Sequence, residues 1–261
     1  MSERTRRGSL TIVGAGIRSG LQVTLETRSC IESAGKVLYL LAEDVPTAWI
    51  HSLNESAESM ATLYGPGRRY RDVYGDIVDR ILEWVRKDVD VCAVTYGHPY
   101  VFDTSTREAA RRAEAEGYRV RVLPGISALD CLFVDLELDP GLDGCQTFDA
   151  TDFLIRRRVP DVTVPLVLWQ ISVIGGSRTT PDVDRDNLAV LATRLAEHYG
   201  PDHEVVVYEA APYPIGQPTI ERCRLDDLAV ADVSGMSSLY VPPSNVAAAD
   251  AEMRSRLGTH S

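Results

Sequence analysis

Val91-Cys-Ala-Val-Thr-Tyr-Gly-His-Pro-Tyr-Val-Phe102 is an apolar run that stops in a glycine-proline turn carrying a tyrosine and a histidine. Val91 to Val94 are mostly β-branched or small, which suits a strand covered on both faces, and Gly97 and Pro99 forbid its continuation. The stretch reads either as a buried strand ending in a ligand-contacting loop or as a plain strand-to-helix turn. In open α/β sheets the first reading has a physical basis, because loops at the carboxyl ends of the strands converge on one crevice.

Upstream, Ser9 to Val13 is a short apolar strand followed by Gly14-Ala-Gly-Ile-Arg-Ser-Gly20 and a helix with Val23, Cys30, Ile31 and Ala34 on one stripe. A second strand, Val37 to Leu41, ends in Glu43-Asp44, so the opening resembles a dinucleotide-binding βαβ unit with its ribose-binding acid. The spacing argues against that, since the third glycine comes one residue late for G-x-G-x-x-G. Ser52 to Tyr70 lacks an apolar period and contains Gly65-Pro66-Gly67, which predicts a loop. Arg68, Arg69 and Arg71 lie in or beside it among Tyr64, Tyr70 and Tyr74, either as a solvated basic patch or as the wall of a site. From Asp72 the spacing of Val73, Ile77, Ile81, Trp84 and Val85 predicts a helix carrying Tyr74.

Downstream, Ser105-Thr-Arg-Glu108 has the form of a capping box, and Gly117 suits a helix end. A strand from Tyr118 to Leu123 runs into Pro124-Gly-Ile-Ser-Ala128. Ser127 could be an N-cap, a ligand contact or a nucleophile, but Gly125-Ile-Ser-Ala-Leu129 lacks the second glycine of the hydrolase elbow. Strand and helix alternate four times, which predicts right-handed crossovers and a largely parallel sheet. Turn residues at Leu138 to Gly144 mark the expected boundary: an N-terminal α/β domain over 8–137, a smaller mixed α/β domain over 138–245 and a tail over 246–261. The second is expected to hold a helix near Asp149 to Arg156, a strand Val164 to Trp169, a helix Asp186 to His198, a strand Glu204 to Tyr208 and an apolar segment Ser238 to Val241. A short terminal helix is expected from Val246.

Composition narrows the functions. The chain has 261 residues, 44% of them hydrophobic and 25% charged, with a formal net charge of −11 and no long basic run, which disfavours a nucleic-acid groove. Its five cysteines are scattered without C-x-x-C or H-E-x-x-H, so neither a disulfide framework nor a metal site is expected. Met1 to Gly8 is polar and charged and no apolar run approaches the roughly 20 residues of a membrane helix, so a soluble, cytoplasmic protein is expected.

Four stretches at strand ends then match one pattern: Leu10-Thr-Ile-Val-Gly-Ala-Gly16, Tyr96-Gly-His-Pro-Tyr-Val101, Leu123-Pro-Gly-Ile-Ser-Ala128 and Ser237-Ser-Leu-Tyr-Val-Pro-Pro243. Together they resemble the tetrapyrrole methylase superfamily. Within it the chain is most similar to the borosin peptide α-N-methyltransferases, on Gly8-Ser-Leu-Thr-Ile-Val-Gly14, Tyr96-Gly-His-Pro99 and Phe148-Asp-Ala-Thr-Asp-Phe-Leu-Ile-Arg156. The resemblance implies two α/β domains with S-adenosylmethionine folded into the cleft between them, and a homodimer. It implies cofactor contacts from Tyr96, His98, Val101, Ser127, Ala128, Gln170, Ala211, Ser237 and Ser238. At the substrate end Tyr64 and Tyr74 match family tyrosines. Tyr70 stands where an arginine is expected and Ala61 where a tyrosine is, leaving Arg69 or Arg71 to supply the guanidinium. Borosin fusion proteins continue into a substrate-bearing tail, so a peptide substrate is expected here as a separate chain.

Methyl transfer to an amide nitrogen needs the acceptor held close, a proximity effect of roughly 7–11 kcal/mol, and also a base and an electrophilic donor, because the amide is barely nucleophilic. A phenol titrates near 10, so its phenolate at neutral pH costs about 4 kcal/mol unless an arginine offsets it. Tyr74 is therefore expected as proton acceptor or its orienting partner, Tyr64 as a phenol on the acceptor carbonyl, and Arg69 or Arg71 as the compensating charge. A tetrapyrrole or other small-molecule methyltransferase, a nicotinamide-dependent oxidoreductase and a non-catalytic cofactor-binding module are the alternatives.

Overall fold

The computed structural model describes residues 8–18, 20–41, 47–176, 179, 183–213 and 215–259. The chain opens with β1 (Ser9–Gly14), α1 (Leu25–Ser33), β2 (Lys36–Leu40), α2 (Thr47–Leu53) and β3 (Glu58–Ser59). It continues through α3 (Tyr70–Val85), β4 (Val91–Thr95), α4 (Thr104–Ala115), β5 (Arg119–Leu123) and α5 (Ala128–Asp135). The strands form one sheet in the order β3-β2-β4-β1-β5, and every pairing in it is parallel.

Strand alternation and crossover handedness explain how this sheet is covered. In β4, Val91 and Ala93 join Leu10, Ile12 and Leu38 under the buried stripes of α3 and α4, which include Val73, Ile77, Ile81, Ala109 and Ala113. Cys92 and Val94 face the other way, with Val13, Val37 and Tyr39, onto Ile31 of α1 and Ile50 of α2. The chain leaves β1 toward β2 and leaves β4 toward β5, in opposite directions from neighbouring strands. With right-handed crossovers this puts α1 and α4 on opposite faces and makes β4/β1 the topological switch point.

At that point the backbones meet. Ala15 N–H donates to Thr95 O at 2.8 Å, and Gly16 and Gly97 exchange hydrogen bonds of 3.3 and 3.0 Å. A Cβ on Gly14 would lie 2.3 Å from Gly97 O and 2.9 Å from Gly125 Cα, and one on Gly125 would lie 2.4 Å from Gly97 O. The glycines after β1, β4 and β5 are thus required by contact between three loops. This also removes the dinucleotide fingerprint: α1 starts at Leu25 under a Thr24 cap, well past Gly16, so no helix N-terminus meets those glycines. Glu43 and Asp44, the acid of that reading, lie outside the described residues.

The second half contains β6 (Gln146–Asp149), α6 (Ala150–Ile155), β7 (Leu166–Trp169), α7 (Arg185–Tyr199), β8 (Glu204–Glu209), β9 (Thr219–Arg224), β10 (Ser238–Val241) and α8 (Ala251–Leu257). Its mixed sheet runs β6-β7-β10-β8-β9, with β6 parallel to β7 and β10 antiparallel to both β7 and β8. Phe153, Leu166, Leu168, Leu188, Leu191, Leu195, Val205, Val207, Leu239 and Val241 make its core. The chain divides into two compact units. One comprises residues up to Glu137 together with 176–181 and 210–219, and the other comprises 138–175, 182–209 and 220–261. Among the described residues no helix is long and apolar enough to cross a membrane.

Several elements differ from the sequence expectation. The stretch expected as a loop from Ser52 holds the end of α2, the edge strand β3 and a 3-10 turn at Ala61–Leu63. β6 and β9 were not expected, because Gln146-Thr-Phe-Asp149 and Thr219-Ile-Glu-Arg-Cys-Arg224 sit at sheet edges with polar residues and no apolar alternation. α4 is capped by Asp103, not by Ser105. The terminal helix starts at Ala251 under an Asp250 cap and buries none of its residues.

Two glycine substitutions separate contact from chain freedom. Gly125→Ala is expected to lower unfolding free energy by about 1–3 kcal/mol through overpacking of backbone that cannot yield. Gly75→Ala, inside α3 with nothing within 4 Å of its added methyl, is expected to raise it by about 0.5–1 kcal/mol. Urea unfolding of both variants checks the pair, and equal effects would refute the three-loop contact.

Candidate functional site

The loop after β4 carries three of the expected cofactor residues. Tyr96 N–H donates to Leu40 O at 2.9 Å and Val101 N–H to His98 O at 3.0 Å, so the loop starts anchored on β2 and then turns on itself. Tyr100 N–H donates to His98 Nδ1 at 3.1 Å, which places the proton of the neutral ring on Nε2. Val101 is 36% exposed, beside the exposed Tyr100 and Phe102, and Phe102 takes a left-handed φ of 56°.

The loop after β5 ends at Ser127, which is buried and caps α5 in a full capping box. Its hydroxyl donates to Asp130 Oδ2 at 2.7 Å and accepts from Asp130 N–H, while its own N–H donates to the same carboxylate at 2.6 Å. A hydroxyl committed to an acidic cap partner has no activating base, which removes the nucleophile reading. Ala128, the first residue of α5, is half-buried. Ala211, only 3% exposed, lies in the 210–219 segment that groups with this same unit.

In the other unit Gln170 is exposed at the end of β7 in a left-handed conformation, φ 59° and ψ 35°, a backbone state that a non-glycine residue occupies at a cost. Ser237 and Ser238 are buried at the start of β10. Ser237 Oγ donates to Glu209 Oε1 at 2.6 Å and accepts from Ser234 N–H at 2.9 Å, and Ser234 Oγ donates to the same carboxylate oxygen.

The proposed substrate-side residues separate into two groups. Tyr64 and Tyr74 are half-buried against the core under α3, and the Tyr70 and Tyr74 ring centroids are 5.9 Å apart. Arg69, the residue before α3, and Arg71 are exposed, and among the described residues neither has an ion-pair partner. The arginine that turns into this loop is Arg68, which donates to Leu63 O at 2.5 Å and pairs with Asp76 at 2.7 Å. Thr179 fastens the same loop through its hydroxyl to Gly65 O and its N–H to Arg68 O.

Burial, and then the nearby Tyr74, Asp103 and Tyr70, push the Tyr64 phenol far above its ordinary value; burial, Tyr70 and Asp103 raise Tyr74. The pair therefore stays neutral through the physiological range. A neutral phenol in a half-buried wall is a hydrogen-bond donor, so the arrangement suits polarising an acceptor carbonyl oxygen better than removing a proton. Sequence reasoning passed over Asp103, whose one available signal was an Asp placed three residues ahead of Thr106 in an N-cap pattern. Among the described residues no group of His, Cys, Asp and Glu could hold a metal ion.

The phenol shifts set a pH dependence. Raised folded-state values mean that the stability linked to neutral Tyr64 and Tyr74 is fully present below about 10 and is lost as pH rises beyond it. Tyr64→Phe is expected to lose less stability than the wild type between pH 9 and pH 11, as checked by urea unfolding at both values.

The family model for Tetrapyrrole (Corrin/Porphyrin) Methylases matches residues 9–229. Among curated proteins, the chain is 39% identical over 250 residues to a methyltransferase/ribosomally synthesized cyclic peptide gymnopeptides precursor of Gymnopus fusipes, covering 94% of this chain and 60% of that protein. It is 38% identical to the methyltransferase/ribosomally synthesized cyclic peptide omphalotin A precursor of Omphalotus olearius, covering 98% and 63%. The chain thus spans about 60% of the length of these relatives. Its fold is similar to the crystal structure of uroporphyrin-III-C-methyltransferase from Thermus thermophilus, with a TM-score of 0.65 at 19% identity over 98% of both chains. A structure of a Thermus thermophilus uroporphyrin-III C-methyltransferase complexed with S-adenosylhomocysteine matches with a TM-score of 0.61 at 20% identity, over 91% of this chain and 98% of that one. A parallel sheet whose carboxyl-edge loops meet at three glycines, a second mixed sheet and a match over nearly all of both place this chain in the tetrapyrrole methylase family.

Proposed function

We propose that the chain is an S-adenosylmethionine-dependent methyltransferase acting on backbone amide nitrogens of a precursor peptide. The observation that carries the proposal is the placement of a neutral phenol pair, Tyr64 and Tyr74, in the unit whose carboxyl-edge loops bear Tyr96, His98, Val101 and Ser127. The curated relatives, whose names join a methyltransferase to a cyclic-peptide precursor, support the acceptor class.

These residues fit the cofactor. Small residues and backbone at Gly97, Ser127, Ala128 and Ala211 admit a bent ligand closely, and the half-buried Tyr96 and His98 add polarity to an otherwise apolar surround. In the other unit, Gln170, Ser237, whose hydroxyl donates to Glu209, and Ser238 are the proposed contacts. When bound, the cofactor supplies an electrophilic methyl group. The protein's part is to hold the acceptor nitrogen in line and to polarise its carbonyl. Tyr64 and Tyr74 donate to that oxygen, so charge gathering there meets fixed O–H dipoles instead of reorganising water. This donor role takes the place of a phenolate base, which the raised phenols disfavour. Arg69 and Arg71, exposed in this structure, stand close enough in sequence to meet an incoming peptide.

Calorimetry with S-adenosylmethionine and S-adenosylhomocysteine is the first test, and no binding of either at millimolar concentration would overturn the proposal. N-acetylated, C-amidated apolar peptides offer only backbone amides as nucleophiles and isolate the acceptor class. In single-turnover mass spectrometry on such a peptide, Tyr74→Phe is expected to lower methylation by about 10²–10³-fold with S-adenosylhomocysteine affinity unchanged. Normal methylation by a folded Tyr74→Phe protein would remove the phenol from the chemistry. The homodimer implied by the resemblance belongs to the same proposal, and sedimentation velocity checks it.

A further inference from the structure

The second unit carries a groove that the methyl-transfer chemistry does not use. A cavity of about 470 Å³ opens between α6 and α7, with Leu154 and Val190 as apolar lining and Arg157, Thr193, Arg194 and Glu197 as polar lining. α7 turns Leu188, Leu191, Ala192 and Leu195 into the core, which leaves Val190 on its opposite face, 53% exposed. Ile155 and Val159, two residues to either side of Arg157 in the chain, are also open to solvent, at 76% and 74%. Apolar surface and guanidinium thus lie side by side at the end of one short helix.

Arg157 is held there by a helix end that ordinarily takes glycine. α6 closes with two reversed hydrogen bonds, Arg157 N–H to Leu154 O at 3.1 Å and Arg158 N–H to Phe153 O at 3.0 Å, and the residue that makes the turn, Arg157, has a φ of 50°. Glycine is favoured at that position because a Cβ is crowded in the left-handed region. The arginine has no local compensation: among the described residues its side chain has no ion-pair or hydrogen-bond partner, whereas Arg156 and Arg158 are both bound to Asp152. Across the groove Arg194 is fixed by Glu197 and by Arg158 O at 3.4 Å. On α6, the turn after it and the α7 stretch 189–197, Arg156, Arg157, Arg158 and Arg194 stand against Asp152 and Glu197, in a chain whose formal net charge is −11.

We propose that this groove docks an acidic, aliphatic stretch of the precursor peptide, outside the stretch that is methylated. The inference rests on the peptide-methylation reading above. A carboxylate of the peptide meets Arg157, and aliphatic side chains beside it cover Leu154 and Val190, so the free cation and the exposed apolar surface are satisfied by one segment. Charge complementarity selects this occupant. A local excess of guanidinium on a chain of net charge −11 attracts an acidic segment, while a single run of three basic residues offers a phosphate backbone no continuous track. Docking of this kind raises the effective concentration of the acceptor amides without touching the chemistry, so it acts on substrate affinity and leaves turnover alone.

Arg157→Gly separates docking from folding, because glycine is the residue this helix end prefers, and it is expected to unfold at the same urea concentration as the wild type or a higher one. Fluorescence anisotropy with a fluorescein-labelled peptide of leucine and glutamate, and with its glutamine counterpart, reads the groove. The wild type is expected to bind the acidic peptide roughly tenfold tighter than the glutamine peptide, with Arg157→Gly and Val190→Asp losing that preference and Arg157→Lys keeping part of it. On a capped apolar acceptor extended by the same leucine and glutamate stretch, Arg157→Gly should raise KM by roughly tenfold at unchanged kcat, and the unextended acceptor should be methylated alike by both proteins. A lower urea midpoint for Arg157→Gly overturns the strained placement of the arginine, and equal binding of the acidic peptide by wild type and Arg157→Gly overturns the groove. Binding of phosphatidylserine vesicles in place of the peptide overturns a peptide as occupant, and an unchanged KM overturns the precursor as its source. Failure of the wild type to bind S-adenosylhomocysteine overturns the methyltransferase reading instead, while the anisotropy still judges the groove.

Discussion

The contact among Gly14, Gly97 and Gly125 holds the carboxyl edge of the first sheet together. Three loops leave β1, β4 and β5 and approach so closely that a single methyl group on Gly14 or Gly125 would overlap the Gly97 carbonyl. The exchange of hydrogen bonds between Gly16 and Gly97 then satisfies backbone groups that would otherwise be buried without partners. With the loops drawn together there, Tyr96, His98, Val101 and Ser127 leave from one edge, and their positions follow from backbone geometry more than from side-chain packing.

Around that edge the polar groups are ordered by who holds whom. Ser127, the cap of α5, is committed to Asp130, and Ser105 donates to Asp103, the cap of α4, so two hydroxyls that look available in the sequence are spent at helix termini. In the other unit Ser234 and Ser237 converge on Glu209. The groups left unspent are more telling. Among the described residues Asp103 accepts hydrogen bonds on one carboxylate oxygen only, and Tyr64 and Tyr74 keep neutral phenols because burial makes the charged form unfavourable. Removing water from a phenol disfavours its phenolate, so the same burial that builds the wall keeps its phenols neutral.

Tyr70 shows how one position redistributes roles. It occupies the place where the resemblance expects an arginine, and its ring lies beside that of Tyr74 in place of a cation. The neighbouring guanidiniums do not fill the gap: Arg68 is bound to Asp76, and Arg69 and Arg71 remain in solvent. A phenol pair without a cation cannot hold a phenolate cheaply, so both rings stay neutral.

Local signals sufficed for much of this protein. The β-branched run at Val91, the spacing of Val73, Ile77, Ile81 and Val85, and the turn residues at Gly97, Gly117 and Gly125 carry their conformations in their own chemistry, and they were legible as a parallel α/β sheet with loops at its carboxyl edge. The four strand-end stretches likewise pointed to the family that the comparisons show. What the sequence could not supply was anything set by non-local contact. The edge strands β6 and β9 have no apolar period, because pairing alone makes them strands. Asp103, not Ser105, caps α4, a choice between neighbours decided by where the chain leaves Phe102 at positive φ. The protonation of Tyr64 and Tyr74 depends on burial under α3 and on a carboxylate from another helix, neither of which is local. Secondary structure and family followed from side-chain pattern, whereas the electrostatics of the site required desolvation and distance, quantities that exist only once the chain is folded.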